Sequence, residues 1–327
     1  MSHPVDVLII GGGPVGLFGA FYAGLRGMSV TIVDSLPDLG GQLTALYPEK
    51  FVYDMPGFPS VLAKDLAREM IAQGTRFAPG VALGRTASSL ERSEEGYRVG
   101  LDDGSAIRAR TVIISAGAGA FSPTKIGVER EDEFLDRGVH YGVREKAHFA
   151  GRHVLIVGGG DSAFDWLLNL HPVCASIALV HRRDQFRAHE ESIEEVRELG
   201  VPMHLFKVVK ELHGTERLTA VTLEDTRDKS QTLVPTDALV VNIGFKSSLG
   251  PIKGWGLEIE KNQIVVDAKC ETNLPGVFAV GDVCTYPEKL KLIATGVGEA
   301  VTAVCFAKTY LDPTAKLFPG HSSDMDL

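Results

Sequence analysis

A strand followed by a glycine-rich turn and a helix occurs twice in this chain, and this feature constrains the fold most strongly. The apolar run at 5–10 leads into GGGPVG at 11–16, and the run at 153–157 leads into GGGDSA at 158–163. A helix-like segment and a second apolar strand follow each turn, which predicts two βαβ units. Both turns fit the dinucleotide fingerprint G-x-G-x-x-G/A, in which backbone amides can approach a pyrophosphate. The fingerprint residues are Gly11, Gly13, Gly16, Gly158, Gly160 and Ala163.

Length and composition agree with this pattern. A chain of 327 residues exceeds one ordinary domain and predicts two. The hydrophobic fraction of 44% and the charged fraction of 23% are those of a soluble globular protein, so disorder is excluded as the main state. Glycine accounts for 36 of the 327 residues, about 11%, whereas ~7% is usual. This excess indicates many sharp turns or close backbone approaches.

Charge and cysteine usage exclude several classes of function. The net charge of −9 argues against nucleic acid or an anionic membrane as the main partner. No two of the four cysteines form CxxC, so zinc-knuckle, iron–sulfur and dithiol spacings are absent. The uncharged run at 7–25 contains six glycines and Pro14, and we expect strand, turn and helix there rather than a membrane span. Without a basic n-region we expect no signal peptide and a cytoplasmic location.

The two fingerprints end differently, which predicts different ligands. Asp34 closes the first unit, and an acid there can accept both hydroxyls of an unphosphorylated ribose, as in FAD. His181 occupies the equivalent position of the second unit. Arginines follow it, and guanidinium groups would bind a 2′-phosphate, which favours NADPH over NADH; a solvated basic turn is the alternative. These arginines are Arg182, Arg183 and Arg187.

Further motifs resemble a known family along essentially the whole chain. They are GGQL at 40–43, YDMPGFP at 53–59, HRRDQFRA at 181–188 and GVFAVGD at 276–282. Together with the fingerprints they resemble thioredoxin reductase-like flavoproteins. Those enzymes carry CxxC just before the second fingerprint, whereas residues 138–154 contain no cysteine. The chain is therefore more similar to the thioredoxin reductase-like ferredoxin–NADP⁺ reductases, which lack the dithiol and share the Pro-x-His-Ser motif found at 319–322.

The resemblance implies a fold and a set of site residues. It implies an α/β protein with two three-layer (ββα-type) Rossmann-like nucleotide-binding domains. The FAD domain would be discontinuous, at 1–115 and 248–327, with an NADP domain at 120–245. Tyr47 and His321 would stack on opposite faces of the flavin, and no acid–base residue is required. The remaining implied FAD contacts are Asp34, Gln42, Ala87, Phe121, Asp282 and Ser323.

The resemblance also implies a reaction. NADPH would deliver hydride to flavin N5, and the flavin would pass single electrons to ferredoxin or flavodoxin. The segment 288–311 would form a short loop and a helix that begins near Leu292, and the N-terminal amides of this helix would point at the flavin. We expect a homodimer from the resemblance alone. An NADPH oxidase or flavin reductase with a small acceptor, and a redox-sensing flavoprotein, stay open as alternatives.

Overall fold

The computed structural model describes residues 3–117 and 119–321 and divides the chain into two compact units. The first unit consists of Met1–Phe121 and Ser247–Leu327, and the second of Ser122–Lys246. The chain thus leaves the first unit, forms the second and returns to the first.

Helices and strands are interspersed along the chain. From the N-terminus they are β1 (Val5–Ile10), α1 (Pro14–Leu25), β2 (Val30–Asp34), α2 (Gln42–Ala45), β3 (Phe51–Val52), β4 (Val61–Leu62), α3 (Ala63–Gly74), β5 (Gly80–Leu83), β6 (Ala87–Ser93), β7 (Gly96–Leu101), β8 (Ala106–Ile114) and β9 (Ala120–Pro123). Next come β10 (Val139–His140), β11 (His153–Gly158), α4 (Asp161–Leu170), β12 (Ser176–His181), α5 (Glu190–Glu198), β13 (Met203–Leu205), β14 (Lys207–Gly214), β15 (Leu218–Asp225), β16 (Gln231–Pro235), β17 (Ala238–Asn242) and β18 (Phe245–Ser248). The last are β19 (Ile259–Glu260), β20 (Gln263–Val265), β21 (Val277–Ala279), β22 (Cys284–Thr285) and α6 (Ile293–Leu311), with 3₁₀ helices at Lys146–Phe149, Gly250–Gly254 and Gly281–Val283.

Within the described residues, the first unit is built on a seven-stranded sheet. Its order is β5-β2-β1-β8-β7-β6, and β21 pairs with the end of β8. The strands β1, β2, β5, β8 and β21 pair in parallel, whereas β6, β7 and the start of β8 form an antiparallel meander. Ile113 on β8 lies between Ile9 on β1 and Phe278 on β21. The carboxyl ends of the parallel strands therefore share one edge, where open α/β sheets bind ligands.

Successive side chains of β1 face opposite layers of the first unit, as the pleat of a strand requires. Val7 and Ile9 are fully buried in the core that contains residues of α1, α3 and α6. Leu8 and Ile10 belong to a second core, formed with β6, β7 and the segment after Leu249. Burial on both faces explains why β1 is an unbroken apolar run, and it gives the unit three layers.

The second unit repeats this architecture. Its parallel sheet has the order β10-β17-β11-β12-β13, and β14, β15 and β16 form a separate antiparallel sheet. Val154 and Ile156 pack with residues of α4 and α5, whereas Leu155 and Val157 pack against β14 and β15. The predicted fold class, two three-layer Rossmann-like domains, is confirmed. No helix of the described residues is long and apolar enough to cross a membrane.

Candidate functional site

A cavity of about 640 Å³ opens at the carboxyl ends of the parallel strands of the first unit. Its wall combines the first glycine turn, the end of β2, the start of β6 and the turn after β21. Seven residues predicted to contact FAD lie on this wall: Gly11, Gly13, Asp34, Gln42, Tyr47, Ala87 and Asp282.

The glycines of the first turn have separate roles. Gly11 has φ +113°, and a Cβ atom there would lie 2.4 Å from the carbonyl oxygen of Ser115. A Cβ at Gly16 would lie 1.9 Å from the carbonyl oxygen of Gly11, so α1 packs too closely for any side chain. At Gly13 the nearest atom, the Cα of Gly41, is 3.8 Å away. Gly11 and Gly16 are therefore required by the fold, and Gly13 leaves room for a ligand.

The N-terminus of α1 lies at this turn, with Gly13 as its N-cap residue. Among the described residues no side chain caps the helix, so its first amides have no side-chain acceptor there. Uncapped amides and the positive end of the helix dipole together favour a phosphate.

Asp34 at the end of β2 is held in place by two backbone amides. Its Oδ2 accepts the Gly12 N–H at 2.6 Å, and its Oδ1 accepts the Leu36 N–H at 2.8 Å. Burial raises the pKa of this carboxyl, and the two N–H donors oppose the rise. Since each carboxylate oxygen can accept a second hydrogen bond, Asp34 can still bind two ribose hydroxyls.

The opposite part of the wall carries aromatic and polar groups. Burial raises the pKa of Tyr47, and the charges of Asp282 and Asp54 raise it further, which places both carboxylates near the phenol. A flat, half-buried aromatic ring suits stacking on a flavin. Leu292 and Ile293 also line the cavity, and Ile293 is the first residue of α6. The N-terminus of α6 thus lies where the sequence predicted it.

Of the predicted FAD residues whose side chains the structure describes, Gly16 and His321 do not line the cavity. His321 is exposed, its ring contacts Phe318 edge-on at 5.4 Å, and it is not among the described residues lining the cavity. The preceding segment is held elsewhere, because Arg26 donates to the carbonyl oxygens of Lys316 and Leu317 at 2.6 and 2.7 Å. Phe121 belongs to β9, and Ser323 lies outside the described residues.

The cavity wall also contains residues that the sequence analysis missed. Arg85 and Thr86 precede Ala87, and Arg85 forms a 2.8 Å ion pair with Asp103. The segment 249–252 and Lys291 contribute as well. The GlyGly pair before Gln42 was a usable signal, because it belongs to the GGQL motif, and in the structure Gly41 has φ +58° and packs on Gly13.

The second fingerprint forms a similar turn between β11 and α4. A Cβ at Gly158 would lie 2.4 Å from the carbonyl oxygen of Asn242 and 3.0 Å from the Cβ of Ala163, which is fully buried. The ring of His181 packs against Gly159, where a Cβ would approach it to 2.3 Å. Gly160 is the N-cap residue of α4, and no described atom lies within 4 Å of its Cβ position. Space for a ligand therefore exists at Gly160.

The arginines of this unit lie beside the turn. The Arg187 N–H donates to the carbonyl oxygen of Gly159 at 2.7 Å, which joins the arginine segment to the fingerprint. The side chains of Arg182, Arg183 and Arg187 are exposed, and in the described ranges none of them forms an ion pair. Burial lowers the pKa of His181, and the two neighbouring arginines lower it further. The arrangement offers guanidinium groups to an anion.

The cavity of the first unit fits FAD by the chemistry of its hydrogen-bond donors and acceptors. Uncapped amides suit the pyrophosphate, the Asp34 carboxylate suits the ribose, and Tyr47 suits the flavin ring. The four cysteines are free thiols, of which only Cys174 is partly exposed. The described residues contain no group of His, Cys, Asp or Glu suited to a metal ion.

Comparisons with known proteins agree with this assignment. The chain is 50% identical to ferredoxin–NADP reductase 2 of Shouchella clausii over 321 residues, 98% of this chain and 97% of that protein. It is 49% identical to the ferredoxin–NADP reductase of Geobacillus thermodenitrificans, with the same coverage. Its structure is similar to thioredoxin reductase from T. acidophilum, with a TM-score of 0.79 and 25% identity over 96% of this chain and 100% of that one. The pyridine nucleotide-disulphide oxidoreductase model matches residues 5–304. The predicted resemblance is confirmed: the chain belongs to the pyridine nucleotide-disulphide oxidoreductase family, alongside these ferredoxin–NADP reductases.

Proposed function

We propose that this protein is an FAD-dependent ferredoxin–NADP⁺ reductase. The observation that carries the proposal is the presence of two dinucleotide turns of opposite charge, one ending in Asp34 and one in a cluster of exposed arginines. The absence of CxxC from the sequence argues against disulfide reduction by the route of thioredoxin reductases. Relatives that are about half identical to the chain carry the name of this activity.

The first unit would hold FAD through its own polar groups. The amides at Gly13 and the N-terminus of α1 would bind the pyrophosphate, and Asp34 would accept the ribose hydroxyls. Tyr47 would cover one face of the flavin, and the N-terminus of α6 would stabilise negative charge at the cavity end. Bound FAD supplies the exchange between hydride transfer and one-electron transfer.

The second unit would hold NADP(H). The amides at Gly160 and the N-terminus of α4 would bind its pyrophosphate, and the cluster of Arg182, Arg183 and Arg187 its 2′-phosphate. We therefore expect a clear preference for NADPH over NADH.

A stopped-flow experiment tests the proposal on the purified holoenzyme. NADPH should bleach the flavin band rapidly, and cytochrome c should be reduced quickly only when ferredoxin or flavodoxin is added. Rapid oxygen consumption without a carrier would favour an NADPH oxidase instead. Slow turnover with every acceptor would favour a redox-sensing flavoprotein. A preference for NADH would contradict the role of the arginines.

Flavodoxin as a second carrier, a homodimer and a cytoplasmic location complete the proposal. Four free thiols agree with a reducing compartment.

Exposed aromatic side chains on the first unit provide apolar surface for a second copy; these are Phe51, Tyr53 and Phe58. Light scattering of the purified protein measures the mass, and a monomer would contradict the homodimer.

A further inference from the structure

Glu299 on α6 has a buried carboxylate that reaches the turn after β21. Its Oε2 accepts the Gly281 N–H at 2.7 Å. Its Oε1 accepts the Tyr286 O–H at 2.6 Å and forms an ion pair with the Lys289 Nζ. The Sγ of Cys284 lies 3.7 Å from Oε2. One carboxylate thus contacts a backbone amide, a phenol, an ammonium group and a thiol.

The ion pair within this group is almost completely shielded from water. The side chain of Lys289 is 4% exposed and that of Glu299 is 7% exposed. Burying two charges carries a desolvation cost that their attraction often fails to exceed, so such a pair is weak support for a purely stabilising role. The two charged groups pair with each other, and the Glu299 carboxylate also accepts a backbone N–H of the turn, which points to a role in fixing local geometry.

The turn that Glu299 holds is part of the cavity wall. Gly281 and Asp282 both line the cavity, and Asp282 is the next residue after the amide that Glu299 accepts. Gly281 has φ +76°, and a Cβ at Gly296 on α6 would lie 3.2 Å from the Gly281 Cα, so helix and turn are in close contact. Glu299 therefore anchors the backbone immediately before Asp282.

We propose that Glu299, charge-balanced by Lys289, is a positioning residue that fixes the Gly281–Asp282 turn against FAD and so slows FAD release. The inference rests on the FAD binding proposed above. Lys289 balances the charge of the carboxylate, and the carboxylate accepts the Gly281 N–H and so orients the amide. Neither side chain lines the cavity, so both act through the turn.

Two double variants separate positioning from charge and from stability. Both Lys289→Met/Glu299→Gln and Lys289→Met/Glu299→Met remove the two charges and keep similar side-chain lengths. Only the glutamine variant retains an oxygen that can accept the Gly281 N–H. Starting from FAD-loaded holoenzyme, we expect FAD to dissociate about tenfold faster, or more, from the methionine variant than from the glutamine variant. Flavin fluorescence after dilution measures the rate, and thermal unfolding in excess FAD reports the stability of each protein.

A second pair of variants leaves Lys289 in place, and it decides the question if the double variants do not fold. Glu299→Asp keeps the charge but withdraws the carboxylate by one methylene, and we expect faster FAD release. Tyr286→Phe removes another donor to the same carboxylate, and we expect release within about twofold of the unmodified protein, since the Gly281 contact persists. Equal release rates within each pair would overturn the inference. An unmodified protein that holds no FAD would instead overturn the proposed function.

Discussion

Gly160→Ala should separate the ligand-binding role of the second fingerprint from its structural role. No described atom lies within 4 Å of the Cβ position, and the backbone has φ −108° and ψ 178°, which alanine adopts freely. Alanine is a poorer N-cap than glycine by up to about 1 kcal/mol, but it lowers the entropy of the unfolded chain by a compensating ~0.4–1 kcal/mol. We therefore expect the free energy of unfolding to stay within about 1 kcal/mol of the original value.

The same methyl group would occupy the side from which a pyrophosphate reaches the turn amides. Losing one charge-assisted hydrogen bond costs about 1.5–3 kcal/mol, which corresponds to a rise of roughly 10- to 100-fold in the Kd for NADPH. Stopped-flow reduction of the flavin at increasing NADPH gives this Kd, and urea titration gives the free energy of unfolding.

Gly158→Ala serves as the matched control two residues away. Its Cβ would lie 2.4 Å from the Asn242 carbonyl oxygen, so this variant should lose about 1–3 kcal/mol of stability. An unchanged Kd for NADPH in Gly160→Ala would refute the phosphate assignment. A large loss of stability in Gly160→Ala would refute the inference that its surroundings are open.

Three further perturbations test other parts of the structure. Replacing Arg182 and Arg183 together with alanine should raise the Kd for NADPH by about tenfold or more, with little change for NADH; equal losses for both would contradict 2′-phosphate binding. Burial, followed by the charge of His148, lowers the pKa of His140 from 6.5 to about 4. The unfolded chain therefore takes up a proton that the folded chain does not, so stability is complete above pH 6.5 and falls towards pH 4 by about 3 kcal/mol. His140→Phe should reduce this loss of stability at acid pH, as measured by the free energy of unfolding from urea titrations at several pH values. An equal loss in the variant and in the unmodified protein would contradict the assignment. Deleting the residues after Phe318 should change both flavin reduction by NADPH and oxygen consumption, and unchanged values for both would exclude a role for His321 at the flavin.

Much of the nucleotide-binding architecture was predictable because its signals are local. The strand predicted at 5–10 has the same bounds in the structure, and the strand predicted at 29–34 is Val30–Asp34. Within 288–311 a short loop and a helix were predicted, and the helix is Ile293–Leu311, because Leu292 before it has an extended backbone with φ −125° and ψ 149°. The family resemblance placed the start of this helix near Leu292.

The parts that were not predictable depend on contacts between distant residues. Glu299 has the spacing of an ordinary exposed helical charge, and only the packing of the 281–289 segment on α6 buries it with Lys289. His321 was assigned by its place in a family motif. The backbone before it is held by the guanidinium group of Arg26, which lies almost 300 residues earlier in the chain. Neither contact leaves a trace in local composition or periodicity.

The close contact between Gly16 and the Gly11 carbonyl has a consequence for the lifetime of the cofactor complex. Because the turn is packed so closely that no methyl group fits at Gly16, we expect the amides of the first fingerprint to point in the same directions before and after FAD binds. The conformational entropy of arranging these donors is lost during folding and not during binding. A preorganised turn of this kind favours a long residence time, which suits a flavin that stays with the protein through many catalytic cycles.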